Sequence, residues 1–255
     1  MGAHVMAGGL PTYHEVHGDG DPLVLLHGGL ATVESWGAQI PALAGHYRVH
    51  VPERRGHGRT PDVEGPITYA AMAGDTIGYL EALGLRRAHL VGWSDGAVVA
   101  VLVALRRPDL VGKLVLIGQF FNRDGERPES RAMTEAWAAE PPREFRMFYD
   151  PYSPDGPAHF PVVFAKMMRL WREEPDLDLA ELAAIAAPTL VMQGDDDVVT
   201  VEHSAAVARA VPDAQLAVVP GASHALPLER PELVNRLILE FLAPGRPARL
   251  MPLTH

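Results

Sequence analysis

Gly92-Trp93-Ser94-Asp95-Gly96 lies between a short apolar run, His89-Leu90-Val91, and a small-residue apolar stretch that closes near Arg106 and Pro108. The run reads as a strand and the stretch as a helix, with Pro108 standing where a helix stop is expected. A G-x-S-x-G turn from strand into helix sets its serine on a sharp bend, with the hydroxyl exposed beyond the carboxyl end of the strand. Glycines two before and two after the serine let strand and helix approach closely. The helix start supplies partial positive charge where an oxyanion would form. Ser94 is the candidate nucleophile.

Working outward, strand-like segments fall at residues 12–16, 23–26 and 48–51, and helical spacing at 33–43 and 69–83. Residues 114–117 form another apolar strand. Strands that alternate with helices and carry near-continuous Val and Leu imply a parallel sheet covered on both faces. The rhythm stops between Ile117 and Pro188, where helices around 129–139 and 162–173 follow one another without strands. It resumes with a strand at 189–192, a helix at 203–210, a strand at 215–219 and a helix at 231–242. The expected organisation is an α/β core of residues 1–119 and 188–243, an inserted helical cap of 120–187, and a loose tail of 244–255. The cap carries many aromatic and methionine residues, which either wall an apolar pocket or bury the cap's own face.

A serine hydroxyl needs a base. Of the 12 histidines, His224 follows the last apolar strand and precedes the last helix, which brings its ring to the sheet edge that holds Ser94. His27 and His57 sit in glycine-rich turns and read as turn-stabilising. The acid that orients the base must also follow a strand, and Gln193-Gly194-Asp195-Asp196-Asp197 offers three aspartates. Asp197 is the expected partner of His224, while Asp195 and Asp196 cap the turn or face water. The order Ser, Asp, His is that of α/β-hydrolases rather than of chymotrypsin-like or subtilisin-like enzymes. His27-Gly28-Gly29-Leu30 follows a strand as well, so the Gly29 and Asp95 amides form a candidate oxyanion pair.

Leu26 to Gly29, Arg55-Gly56-His57-Gly58-Arg59, the serine turn, Gly194 to Asp197 and Gly221 to His224 occur in the order of the α/β-hydrolase superfamily, which the chain resembles over residues 12–243. The resemblance implies an eight-stranded, mostly parallel sheet, a helical cap and no cofactor. Glu53 departs from the pattern, since many relatives carry aspartate there. The Gly-Trp-Ser-Asp-Gly turn with its apolar helix, and the strand end Ile117-Gly118, resemble the biphenyl hydrolase-like group, which includes the amino-acid-ester-cleaving valacyclovir hydrolase. That similarity implies a substrate-binding role for the Asp95 carboxylate, toward an ammonium group. The residue's position alone equally allows a helix-start role.

A net charge of −10 over 255 residues excludes the basic face that nucleic-acid binding requires. With no cysteine, disulfides, thiolate metal sites and cysteine nucleophiles are excluded, and no H-E-x-x-H cluster appears. The apolar run from Ala97 to Leu105 is too short to span a bilayer. The first ten residues do not read as a signal peptide. These features lead to an expected cytoplasmic enzyme acting on a small molecule, with no membrane or nucleic-acid partner and an open oligomeric state. The expected reaction is hydrolysis of an ester or lactone of a small, partly apolar substrate. C–C bond hydrolysis, perhydrolysis, or acyl transfer or cyclisation would use the same residues, and a non-catalytic ligand-binding relative is the alternative of a different class.

Overall fold

Strands with apolar residues on both faces must be covered on both sides, and that requirement organises the chain. A computed structural model describes residues 2–245 and 250–251. Its strands are β1 (Ala3–Ala7), β2 (Leu10–His17), β3 (Pro22–Leu26), β4 (Arg48–Pro52), β5 (Ala88–Trp93), β6 (Val111–Ile117), β7 (Thr189–Asp196) and β8 (Ala214–Ser223). They form one eight-stranded sheet in the order β1-β2-β4-β3-β5-β6-β7-β8. β2 pairs antiparallel with β1 and β4, and every pairing from β4 through β8 is parallel. The expected α/β-hydrolase architecture is thus present.

The helices are α1 (Ile40–Leu43), α2 (Tyr69–Ala82), α3 (Asp95–Arg106), α4 (Pro128–Ala139), α5 (Arg143–Tyr149), α6 (Phe160–Glu173), α7 (Val201–Ala210), α8 (Leu226–Glu229) and α9 (Pro231–Leu242). One sheet face packs on α2, α3 and α7 through residues such as Met72, Leu80, Val99 and Val207. The other packs on α1 and α9, where Val234, Ile238 and Leu242 recur at helical spacing. The central β3 and β5 lie deepest, so their carboxyl ends are rigidly placed.

One expectation needs correction. The helix expected over residues 33–43 is a 3-10 turn, Val33–Trp36, followed by the single turn α1. Gly37 between them is a poor helix former, and Pro41 fits only the first turn of a new helix. β1, α5 and the single turn α8 were not anticipated. β1 is an edge strand with its residues largely exposed, so it lacks the apolar alternation that marks a half-buried strand. α5 spans only Arg143–Tyr149 and is largely exposed, with Tyr149 its one buried residue. Of the tail expected to be loose, residues 246–249 and 252–255 lie outside the described residues. Among the described residues no helix is long and apolar enough to cross a membrane.

Candidate active site

The bend at the end of β5 is strained as its sequence requires. Ser94 has φ 56° and ψ −124°, a region that costs a non-glycine residue on the order of 1–3 kcal/mol. Its amide donates to Ile117 O on β6 at 2.8 Å. The flanking glycines are needed for space: a Cβ on Gly92 would stand 2.3 Å from Gly96 O, and one on Gly96 would stand 2.0 Å from Leu26 O. Either would push α3 off the sheet.

β7 and β8 run side by side through a bulge between Gly194 and Asp196. The irregularity brings Asp197 and His224 to the carboxyl edge that holds Ser94. His224 Nδ1 lies 2.7 Å from Asp197 Oδ1, and Nε2 lies 3.0 Å from Ser94 Oγ. A proton on Nδ1 satisfies the carboxylate and leaves Nε2 free to accept from the hydroxyl. The Asp197 side chain is fully buried, and its Oδ1 also accepts from the Val198 amide at 2.7 Å. Trp93 Nε1 donates to the His224 carbonyl at 2.9 Å, tying the serine bend to the histidine loop. Asp195 and Asp196 take other roles. Asp195 Oδ1 accepts from the Gly221 and Ala222 amides, while Asp196 is exposed and pairs with Arg127.

Ser94, Gly29, Asp95 and His224 open on a cavity of about 260 Å³, walled by Phe120, Met133, Trp137, Phe145, Phe148 and Trp171. Five of these six come from the helices inserted between β6 and β7. Glu126, Glu144 and Glu174 also line the cavity, and among the described residues no lysine or arginine does. Burial raises the pKa of Glu174 above the ordinary carboxylate value. The Asp95 amide starts α3, so it has no acceptor within the helix. The Asp95 side chain is engaged: Oδ1 accepts from Tyr69 Oη at 2.7 Å, and both carboxylate oxygens face Trp171 Nε1, at 3.2 and 3.0 Å. Beneath it lies the buried Arg54, whose Nη2 donates to the His27 and Gly28 carbonyls. Burial lowers the Arg54 pKa, and Asp95 works against that shift. His27 accepts from the Arg54 amide through Nε2, and burial holds it well below the ordinary histidine value, in keeping with a neutral turn-bracing ring.

Residues 23–237 match the model of the alpha/beta hydrolase family. The chain belongs to that family. It is 31% identical over 264 residues to a protein of Agrobacterium fabrum named as the carbamate hydrolase RutD, covering 91% of this chain and 98% of the other. The meta-cleavage product hydrolase CumD of Pseudomonas fluorescens IP01 superposes with a TM-score of 0.78 at 26% identity, covering 94% of this chain and 97% of that one. A thermophilic esterase of Thermogutta terrifontis gives a TM-score of 0.73 at 29% identity, covering 95% and 98%. Hydrolase chemistry is the common property of these relatives' names.

Within this alpha/beta hydrolase, the structure brings together all five residues singled out from sequence: Ser94, Asp197, His224, Gly29 and Asp95. Sequence reading missed Tyr69, Trp93 and Glu174, and placed Trp171 only among the cap aromatics, without its contact to Asp95. Trp93 was legible in principle, because it stands beside Ser94 on a strand end. The Tyr69–Asp95 contact spans 26 residues and the Trp171–Asp95 contact 76, and no local pattern signals either.

Proposed function

We propose that this protein is a serine hydrolase that cleaves an ester or lactone of a small, partly apolar substrate through an acyl-enzyme on Ser94. The observation that carries this reading is the hydrogen-bonded run from Asp197 through His224 to Ser94, opening on an aromatic-walled cavity. Ser94 Oγ attacks the carbonyl carbon while His224 Nε2 takes the hydroxyl proton, and the carbonyl electrons move onto oxygen. The amides of Gly29 and Asp95 receive that oxyanion. Collapse of the tetrahedral species expels the leaving oxygen, which takes the proton from His224. Water then repeats the sequence on the acyl-enzyme, releasing the acid and restoring the serine. Asp197 holds the imidazole tautomer and stabilises its charge.

Residues 120–187 act in this reading as a cap that supplies most of the apolar wall around the acyl group. Comparison among the named relatives leaves ester, carbamate and C–C bond hydrolysis as chemistries of the superfamily. The cavity disfavours an acidic ester or lactone, because three glutamates line it and, among the described residues, no lysine or arginine does. The test is labelling by a fluorophosphonate, followed by a panel of p-nitrophenyl esters, amino-acid esters and lactones. Ser94→Ala and His224→Ala should each abolish labelling and lower turnover by several orders of magnitude, and the double variant should be no worse than the weaker single one. Unchanged turnover in Ser94→Ala would defeat the reading.

A further inference from the structure

The same indole touches both residues whose amides are assigned to the oxyanion. Trp171, on α6 of the insertion, directs Nε1 at the two carboxylate oxygens of Asp95. Its ring also lies against Gly29: a Cβ there would stand 2.3 Å from Trp171 Cζ2 and 2.5 Å from Asp95 Oδ2. Gly29 thus has no side chain because Trp171 and the Asp95 carboxylate occupy that space. The indole is itself held, packing on Trp137 and Phe145 with ring centroids 6.0 Å away in each case. The Trp171 backbone carbonyl accepts from Arg123 Nη2 at 2.8 Å. From the core side, Tyr69 Oη fixes the other flank of the Asp95 carboxylate.

We propose that Trp171 is a positioning residue, through which the insertion sets the alignment of the oxyanion-binding amides. This rests on the assignment of Gly29 and Asp95 to the oxyanion. The Asp95 carboxylate and amide belong to one residue at the first turn of α3, so fixing the carboxylate fixes the direction in which the amide points. On the opposite side, the ring edge limits how far the Gly29 backbone can move. The two donors must converge on an oxygen that carries charge only as the carbonyl becomes tetrahedral, and a small misalignment weakens both at that moment. Trp171 does so without touching the reacting atoms. The Asp95 carboxylate is occupied in this role by Trp171 and Tyr69, with the guanidinium of Arg54 beneath.

Trp171→Phe keeps an aromatic ring against Gly29, Trp137 and Phe145 and removes the N–H. Three quantities separate positioning from wall-building: kcat and KM on the best p-nitrophenyl ester of the panel, the inhibition constant of a trifluoromethyl ketone with the same acyl chain, and that of the matching secondary alcohol. The ketone adds Ser94 Oγ to its carbonyl carbon and places an oxyanion between the amides, whereas the alcohol fills the cavity with no oxyanion. The expected result is a kcat at least about tenfold lower and a ketone weakened by the factor lost in kcat/KM. KM and alcohol affinity should stay within about twofold of wild type.

Equal weakening of ketone and alcohol with kcat unchanged, or no change in any quantity, overturns the proposal. Should Trp171→Phe fail to fold by circular dichroism, Tyr69→Phe removes the carboxylate's other side-chain donor and must show the same parallel loss of kcat/KM and ketone affinity. Wild-type values for both in that variant also overturn it. Turnover that persists in Ser94→Ala defeats the hydrolase reading itself, whatever Trp171→Phe does.

Discussion

At the scale of the residue, three consecutive aspartates separate by geometry. Asp197 is buried and faces His224 Nδ1, Asp195 accepts two amides of the strand end that leads to His224, and Asp196 stands in solvent beside Arg127. Asp197→Asn leaves the shape intact but presents an amide where a carboxylate fixed the Nδ1 proton, so the wrong tautomer gains population. Turnover should fall by about 10³–10⁴-fold with the melting temperature little changed. Asp196→Asn should alter turnover less than about twofold, since an exposed ion pair contributes little. Steady-state kinetics on one ester decides the matter, and the reverse order of losses would move the acid to Asp196. Ser94, Asp197 and His224 were legible because each follows a strand at a turn whose backbone demands special residues. Tyr69 and Trp171 were not, because their partner Asp95 meets them only through the tertiary fold.

At the scale of the element, β3, β5 and β6 announced themselves because burial on both faces demands unbroken apolar runs. β1 is an exposed edge strand and carries no such run. The bulge between β7 and β8, which places both Asp197 and His224, is a departure from regular pairing and has no periodic signal. The insertion was legible as helical but not in what it presents to Ser94. Glu174, just past the end of α6, puts a carboxylate in the cavity, with Oε2 accepting from the Tyr69 amide at 3.0 Å. Glu174 has no ion-pair partner among the described residues. An anionic ester such as a hemisuccinate should be turned over at least about tenfold more slowly than its neutral isostere, which corresponds to about 1.4 kcal/mol in the barrier. Glu174→Gln should narrow that gap chiefly by speeding the anionic substrate. The ratio of the two kcat/KM values in each variant is the measurement, and a ratio unchanged by the substitution would remove Glu174 from selectivity.

At the scale of the whole molecule, the core stores histidines in their neutral form. His50 is buried between sheet and α2, where burial first, then His14 and Arg48, lower its pKa to about 4. His50 Nδ1 lies 3.4 Å from Tyr79 Oη, which is 2.7 Å from His14 Nδ1, and His50 Nε2 is without a partner among the described residues. His57 is lowered to about 3 by burial and by Arg54, and burial lowers His14, His27, His89 and His203 as well. Each folded-state value lies below the unfolded one near 6.5. Above pH 6.5 both states are unprotonated and the contribution to stability is complete. As the pH falls below 6.5, the unfolded chain takes up protons that the folded chain refuses, and stability drops by about 1.4 kcal/mol per pH unit for each fully differential proton. Glu53 and Glu174, whose pKa values burial raises, work in the opposite sense but are two groups against six. The urea midpoint should therefore hold between pH 7.5 and 6.5 and fall steeply from 6.5 to 5, before carboxylates of ordinary pKa titrate. His50→Gln deletes one of these groups, so whatever it costs at pH 7.5, the slope of unfolding free energy against pH should be shallower in the variant. A midpoint that does not move between pH 7.5 and 5 in the wild type would mean that these histidines are not held neutral by the fold.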